Sequence, residues 1–192
     1  MSNLKVTPGG IDGLFVIEPK VYGDERGYFL ETYNQNDMHA CGLDMVFVQD
    51  NQSMSRKGVL RGLHFQKHYP QGKLVRVIRG QVFDVAVDLR PGSDTFGKWH
   101  GEILSEENKK QMYIPEGFAH GFYVISEVAE FCYKCTDFYH PNDEGGIRWD
   151  DPDLDIDWPL LPDLPPILSD KDQKWPFLRE AAGQIRRQEE WE

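Results

Sequence analysis

From Val82 to Leu89 the chain alternates, with Phe83, Val85, Val87 and Leu89 set against Asp84, Ala86 and Asp88. A period of two is that of a pleated strand, whose side chains point to its two faces in turn. The pattern therefore predicts a strand with one buried face and one more polar face. Short β-prone segments punctuated by glycine and proline recur at Leu14–Ile17, Tyr28–Tyr33, Val46–Val48, Leu74–Ile78, Glu102–Leu104, Gln111–Ile114, Gly121–Ile125 and Ala129–Thr136. Arg79-Gly80-Gln81, lying between two such runs, reads as a hairpin turn. Many short strands at regular spacing, with no repeat of solenoid length, specify an all-β sandwich or barrel. Helical patterning is peripheral: Asn34–Cys41 ahead of Gly42 predicts a helix with a glycine C-cap, and Ser105–Asn108 predicts a single turn. At 192 residues and 40% apolar content, the chain is expected to form one domain across 1–192.

Beyond about Asp150 the sequence turns acidic and proline-rich, and residues 150–178 are expected to be a solvated covering segment. Its alternating aspartates do not make a calcium loop, because Pro152 and Ile156 stand where such a loop needs other residues. The charged stretch 179–192 is expected to be a loose helix or disordered. The net charge of −11 argues against nucleic-acid binding through bulk charge. No apolar run reaches the length of a membrane span, and no signal-peptide pattern follows Met1, so the expected location is the cytoplasm. Three cysteines fit a reduced compartment. Cys132 and Cys135 form a CxxC, but strand positions three apart face opposite sides, which argues against a shared metal or a disulfide.

Charge is unevenly spread. Between Arg56 and Arg79 lie Lys57, Arg61, Lys67, Lys73 and Arg76, together with His64 and His68, and no acid at all. In an acidic chain such a stretch is a candidate anion site, since arginine grips phosphate bidentately; a basic strand face that merely solvates the protein is the alternative. Within it, Gly58 to Gln66 followed by Lys73 and Gly80 resembles the first motif of the cupins, and Pro115-Glu116-Gly117-Phe118-Ala119-His120 resembles the second. Metal cupins place two histidines, a glutamate and a last histidine around a divalent ion. Here Gln66 replaces the second histidine and Lys73 replaces the glutamate. A neutral amide is a poor transition-metal ligand and an ammonium repels a cation. The resemblance thus implies an all-β, cupin-type double-stranded β-helix, a jelly-roll barrel with short peripheral helices, and argues against a metal.

The groups that remain suit removal of a carbon-bound proton beside a carbonyl. An imidazole such as His64 is a competent base near neutrality. A neighbouring cation stabilises the enolate oxygen. Inversion then needs an acid on the opposite face, for which Tyr133 is a candidate. Taken singly, a histidine or a strand tyrosine is more often structural.

The segments Gly23–Phe29, Phe47–Asn51, Val59–Gln66, Gln71–Arg76, Phe83–Asp88, Ile114–Gly121, Tyr133-Lys134 and Ile156–Pro159 resemble, in order, the dTDP-4-dehydrorhamnose 3,5-epimerases over roughly residues 5–178. That resemblance implies a homodimer without a cofactor, acting on a 4-keto-6-deoxy sugar bound to dTDP. It implies His64 as base and Tyr133 as acid, with Lys73 beside the enolate. Asp172, in Ser169-Asp170-Lys171-Asp172, is implied as the partner of His64, with Asp170 a close competitor. Substrate contacts are implied at Arg26, Phe29, Glu31, Gln49, Asp50, Asn51, Arg61, His120, Glu144 and Lys171. Of these, Arg26 and its neighbours are implied to reach a second subunit's site, and Phe29 the thymine ring. Rival functions are a mono-epimerase acting at C3 or C5 alone, a non-catalytic sugar-nucleotide-binding cupin, and a metal-dependent cupin.

Overall fold

The computed structural model describes residues 3–182 and 185. In chain order its elements are β1 (Leu4–Pro8), β2 (Phe15–Pro19), β3 (Val21–Asp24), β4 (Gly27–Leu30), α1 (Gln35–Ala40), β5 (Gln49–Arg56), β6 (Leu60–Gln66), β7 (Lys73–Arg79), β8 (Gln81–Asp88), β9 (Trp99–Ser105), β10 (Gln111–Ile114), β11 (Phe118–Val124), β12 (Val128–Cys135), β13 (Glu144–Gly146) and α2 (Leu178–Ala181). Strands β1-β2-β10-β7-β12-β5 form one antiparallel sheet and β13-β6-β11-β8-β9 the other, while β3 and β4 form a separate hairpin. This is the all-β jelly roll expected.

Among the described residues three apolar clusters hold it. Val75, Val77, Met112, Ile114 and Phe131 of the six-stranded sheet meet Val82, Ala86, Leu104 and Phe122 of the five-stranded sheet. The five-stranded sheet's other face, with Leu63, Phe65, Val85, Val87 and Tyr123, lies under Leu154, Trp158, Leu178 and Ala181. Outside the six-stranded sheet, Ile17 and Leu74 pack on Met38 of α1 and Leu43. Each such large side chain contributes about 1.5–3 kcal/mol on burial.

Several expectations change. The alternation of β8 is real, but both of its faces are buried: Phe83, Val85, Val87 and Leu89 pack beneath the 150–178 segment, and Asp84 and Asp88 are 0% exposed. A jelly roll with a covered outer face leaves no solvent for the polar face. Leu154 and Trp158 of the 150–178 segment pack on the sheet, and the segment is anchored and not merely solvated. Buried Asp151 accepts the backbone N–H groups of Asp153, Leu154 and Leu178. Arg79-Gly80-Gln81 is not a hairpin turn, because β7 and β8 lie in different sheets and the chain passes between them there. Gly80 has φ 77°, and a Cβ on it would come within 1.9 Å of the Val128 carbonyl oxygen. Val46 and Val48 are exposed coil. The strand begins only at Gln49, and Val48 adds one bond to the Cys135 carbonyl. That strand, Gln-Asp-Asn-Gln-Ser-Met-Ser-Arg, carries too little apolar character for periodicity to find it. The predicted helix is α1, capped by the Asn34 side chain, with Gly42 at φ 78° beyond it. Ser105–Asn108 forms a turn closed by mutual side-chain bonds. Of the charged stretch 179–192, α2 covers the first residues, and 183, 184 and 186–192 lie outside the described residues. Cys132 and Cys135, the residues of the CxxC, are free thiols.

Candidate active site

The cavity lies between the sheets, with a volume of about 270 Å³, and Arg61, His64, Lys73, His120, Tyr133 and Glu144 line it along with Tyr139 and Lys171. Arg61 and His64 are three apart and would face opposite sides of a regular strand. A bulge resolves this: His120 pairs with His64 while Phe122 pairs with Arg61, so β6 carries one extra residue against β11. Gly62 occupies that bulge at φ 116°. A Cβ there would meet the Cα of Gly121 at 2.5 Å, so the close approach of the two strands requires glycine.

His64 Nε2 lies 2.5 Å from Asp172 Oδ1. Asp172 is 3% exposed, and its other oxygen accepts the Ser169 hydroxyl at 2.7 Å. Burial works to raise the Asp172 pKa, but the bonds from His64 and Ser169 and the nearby imidazole outweigh it and hold the carboxyl below the ordinary range. An ionised acceptor at Nε2 fixes the proton on that nitrogen and leaves Nδ1 as the basic atom. Asp170 lines an adjoining recess outside this pair. The geometry therefore puts Asp172, and not Asp170, on His64.

A second pair lies deeper. His120 Nε2 is 2.9 and 3.0 Å from the two oxygens of Asp84, and the ring stacks on Phe131 at 6.0 Å. Burial pushes Asp84 up and His120 down, so both are drawn toward their neutral forms. Burial also lowers the Lys73 pKa, opposed by Cys135, Asp84 and Glu144 around it. Burial raises the Tyr133 phenol, with Cys135 beneath it adding to the effect, so the group is protonated and able to donate at neutral pH. Glu144 holds Lys171 at 2.7 and 2.8 Å, and the Arg61 Nε donates to Ser55 at 3.0 Å.

Other expected residues sit elsewhere. Gln49 bonds Asn51 at 3.1 Å and accepts the Tyr139 backbone N–H at 2.9 Å, at the edge beside the cavity. Asp50 alternates to the outer side of β5, where it pairs with Lys134 at 2.7 Å; a single chain does not bring it to the cavity. Nor does it bring Arg26, whose side chain is 89% exposed and paired to Asp24 at the tip of the β3–β4 hairpin. Phe29, on that hairpin, is 68% exposed, and Glu31 accepts from Asn34 at 3.1 Å. Three residues at the site escape sequence reasoning. Asp84 is hidden in the polar face of β8, Ser53 in the weak pattern of β5, and Tyr139 in a loop. A carboxylate inside a run of valine and alanine was the one available hint, for Asp84.

Among the described residues no group of three or more His, Cys, Asp or Glu side chains is arranged to hold a metal. Gln66 turns its amide to loop backbone, and Lys73, standing where the carboxylate ligand would be, lines the cavity with an amine. The donor set does not fit a cupin metal.

A jelly-roll barrel carrying this polar, metal-unsuited interior is the form of a cupin-type isomerase. Comparison with known proteins agrees. The family profile described as dTDP-4-dehydrorhamnose 3,5-epimerase matches residues 8–180. The enzyme of that name from Methanothermobacter thermautotrophicus is 57% identical, across 94% of this chain and 97% of its own. A Streptomyces niveus protein, named dTDP-4-dehydrorhamnose 3-epimerase, is 42% identical across 93% of this chain and 86% of its own. The crystal structure of a Legionella pneumophila dTDP-6-deoxy-D-glucose-3,5-epimerase in complex with dTDP-4-keto-L-rhamnose superposes with a TM-score of 0.92 at 53% identity, covering 96% of this chain and 98% of that one. The chain belongs to the dTDP-4-dehydrorhamnose 3,5-epimerase family and is an epimerase.

Proposed function

We propose that the cavity takes a dTDP-linked 4-keto-6-deoxy-hexose and inverts both C3 and C5, in the synthesis of dTDP-L-rhamnose. The observation that carries this reading is the convergence of a carboxylate-paired imidazole, His64 with Asp172, and a protonated phenol, Tyr133, on one cavity. The 4-keto group acidifies the hydrogens on both flanking carbons, because either carbanion delocalises onto the same oxygen. His64 Nδ1 removes such a hydrogen, and Asp172 stabilises the imidazolium that results. Lys73 stabilises the enolate oxygen, and His120 with Asp84 fixes the polar floor beside it. Tyr133 returns a proton from the other face. Arg61 and Lys171, at the mouth, suit the diphosphate. The Legionella relative's bound dTDP-4-keto-L-rhamnose supports this substrate class.

The β3–β4 hairpin exposes Val21, Tyr22, Tyr28 and Phe29. An apolar hairpin tipped by Arg26 supports a homodimer in which Arg26, Phe29 and Glu31 complete a neighbouring copy's site. No metal or organic cofactor takes part in the reaction; Lys73 in place of a carboxylate ligand and the engaged amide of Gln66 support that. Among the described residues no helix is long and apolar enough to cross a membrane, and the free thiols of Cys132 and Cys135 suit a reducing cytoplasm. The Streptomyces niveus relative favours keeping one second reading, inversion at C3 alone.

The roles of base and acid are separable. His64→Ala should lower proton removal at both carbons by about 10²–10⁴-fold. Tyr133→Phe should keep exchange of substrate hydrogen with solvent yet lose most inversion. Normal epimerisation by Tyr133→Phe would assign the acid elsewhere.

A further inference from the structure

Gln66 occupies the position at which metal cupins carry a ligand, and its amide does something else. It is 7% exposed and uses both ends of the side chain. Its Nε2 donates to the carbonyl oxygens of Tyr69, at 2.5 Å, and Phe138, at 3.1 Å. Its Oε1 accepts the backbone N–H of His140 at 2.7 Å. Phe138 and His140 flank Tyr139, so the amide grips the backbone on either side of a tyrosine that lines the cavity. The grip is reinforced farther along the loop. Asp143, also 7% exposed, accepts the backbone N–H groups of His68 at 2.9 Å and Tyr69 at 3.0 Å, as well as the His68 ring. Glu144, the next residue, lines the cavity and anchors Lys171.

We infer that Gln66 is a positioning residue for substrate binding, clamping the 137–143 loop so that Tyr139 faces the sugar nucleotide. The inference rests on the reading of this cavity as the sugar-nucleotide site. Its chemistry is specific to an amide. The two carbonyls need a donor and the N–H needs an acceptor, and a primary amide alone among uncharged side chains of this length supplies both. A glutamate would keep the acceptor but lose both donors. A methionine would keep the length and lose all three bonds. Because the loop carries Tyr139, which is not assigned to proton transfer, its displacement weakens ground state and transition state alike.

The test compares wild type, Gln66→Met, Gln66→Glu, Tyr139→Ala and the double variant Gln66→Met/Tyr139→Ala, with turnover of the dTDP-4-keto sugar and calorimetric binding of dTDP alone as readouts. The Gln66 variants should raise KM about tenfold with kcat within about threefold, the pattern of lost uniform binding. The double variant should be no worse in KM than Tyr139→Ala, because both changes remove one contact. Additive effects of the two changes, or a fall in kcat at unchanged KM, would overturn the inference. If Gln66→Met does not fold, Gln66→Glu carries the same expectation, since it keeps the volume and the acceptor for the His140 N–H while losing both donors. Wild type that neither turns over the sugar nor binds dTDP refutes the reading of the cavity itself, whereas active wild type with unaltered Gln66 variants refutes only the clamp.

Discussion

Replacing Asp172 by asparagine should harm the reaction more than replacing it by alanine. Asp172 is 3% exposed, with Oδ1 at 2.5 Å from His64 Nε2 and Oδ2 at 2.7 Å from the Ser169 hydroxyl. In Asp172→Asn one of those oxygens becomes an NH₂ group. The Ser169 hydroxyl donates to Oδ2, so the asparagine oxygen is favoured there and the amide nitrogen faces His64. A donor at that point forces Nε2 to accept, which moves the ring proton to Nδ1 and removes the base from the cavity. Locking the wrong tautomer in this way costs about 10⁴-fold in kcat in a comparable His–Asp pair. Asp172→Ala loses a charge-assisted hydrogen bond of about 1.5–3 kcal/mol but leaves either tautomer open, which converts to a loss of about 10–150-fold. Because the carboxyl is held below the ordinary aspartate value of about 3.9, it stays ionised across the neutral range. Its stabilising contribution is complete above that value and is lost only as pH falls through the lower, folded-state value. Asp172 should therefore remain ionised in the wild-type protein throughout the neutral range in which the variants are compared. The assay is initial-rate epimerisation of the 4-keto sugar nucleotide, read by NMR. Asparagine outperforming alanine, or both variants within threefold of wild type, would refute the tautomer argument.

Two further outcomes follow from the site. Exhaustive chelation should leave activity unchanged, since Lys73 and Gln66 stand where ligands would be; loss of activity restored by one divalent ion would contradict the metal-free chemistry. If hairpins complete neighbouring sites, Arg26→Ala and His64→Ala chains mixed through a denaturation–renaturation cycle should recover about a quarter of wild-type activity, because one site in each mixed dimer is intact. Recovery no greater than the sum of the separate variants would contradict shared sites.

Much of this was legible because the chemistry sits in local patterns. The alternation of Val82–Leu89 and the glycine-punctuated runs predict the strands, and Gln66 with Lys73 shows that the cupin metal set is broken. What periodicity missed has physical causes. A residue on the inner face of a barrel looks, in sequence, like one facing water, so Asp84 reads as surface until β11 brings His120 against it. Strand β5 is held by pairing along β12 and not by an apolar face. Arg61 and His64 share a cavity only because a bulge at Gly62 breaks the strand's parity. Gly80 resembles a hairpin glycine because a turn between sheets and a turn within one both need a positive φ. The grip of Gln66 on Phe138 and His140 spans 72 and 74 residues, beyond the reach of any local pattern.

The most direct test of the central claim is to run the reaction in heavy water and read both label and configuration at C3 and C5. Each inversion through an enolate removes the original hydrogen and returns one from an acid that exchanges with solvent. The account predicts product with deuterium at both carbons and both centres inverted. Label at both carbons with only one centre inverted, after complete turnover, would make the protein a mono-epimerase. Substrate recovered with no label above the uncatalysed rate would contradict proton-transfer catalysis by His64 and Tyr133 altogether.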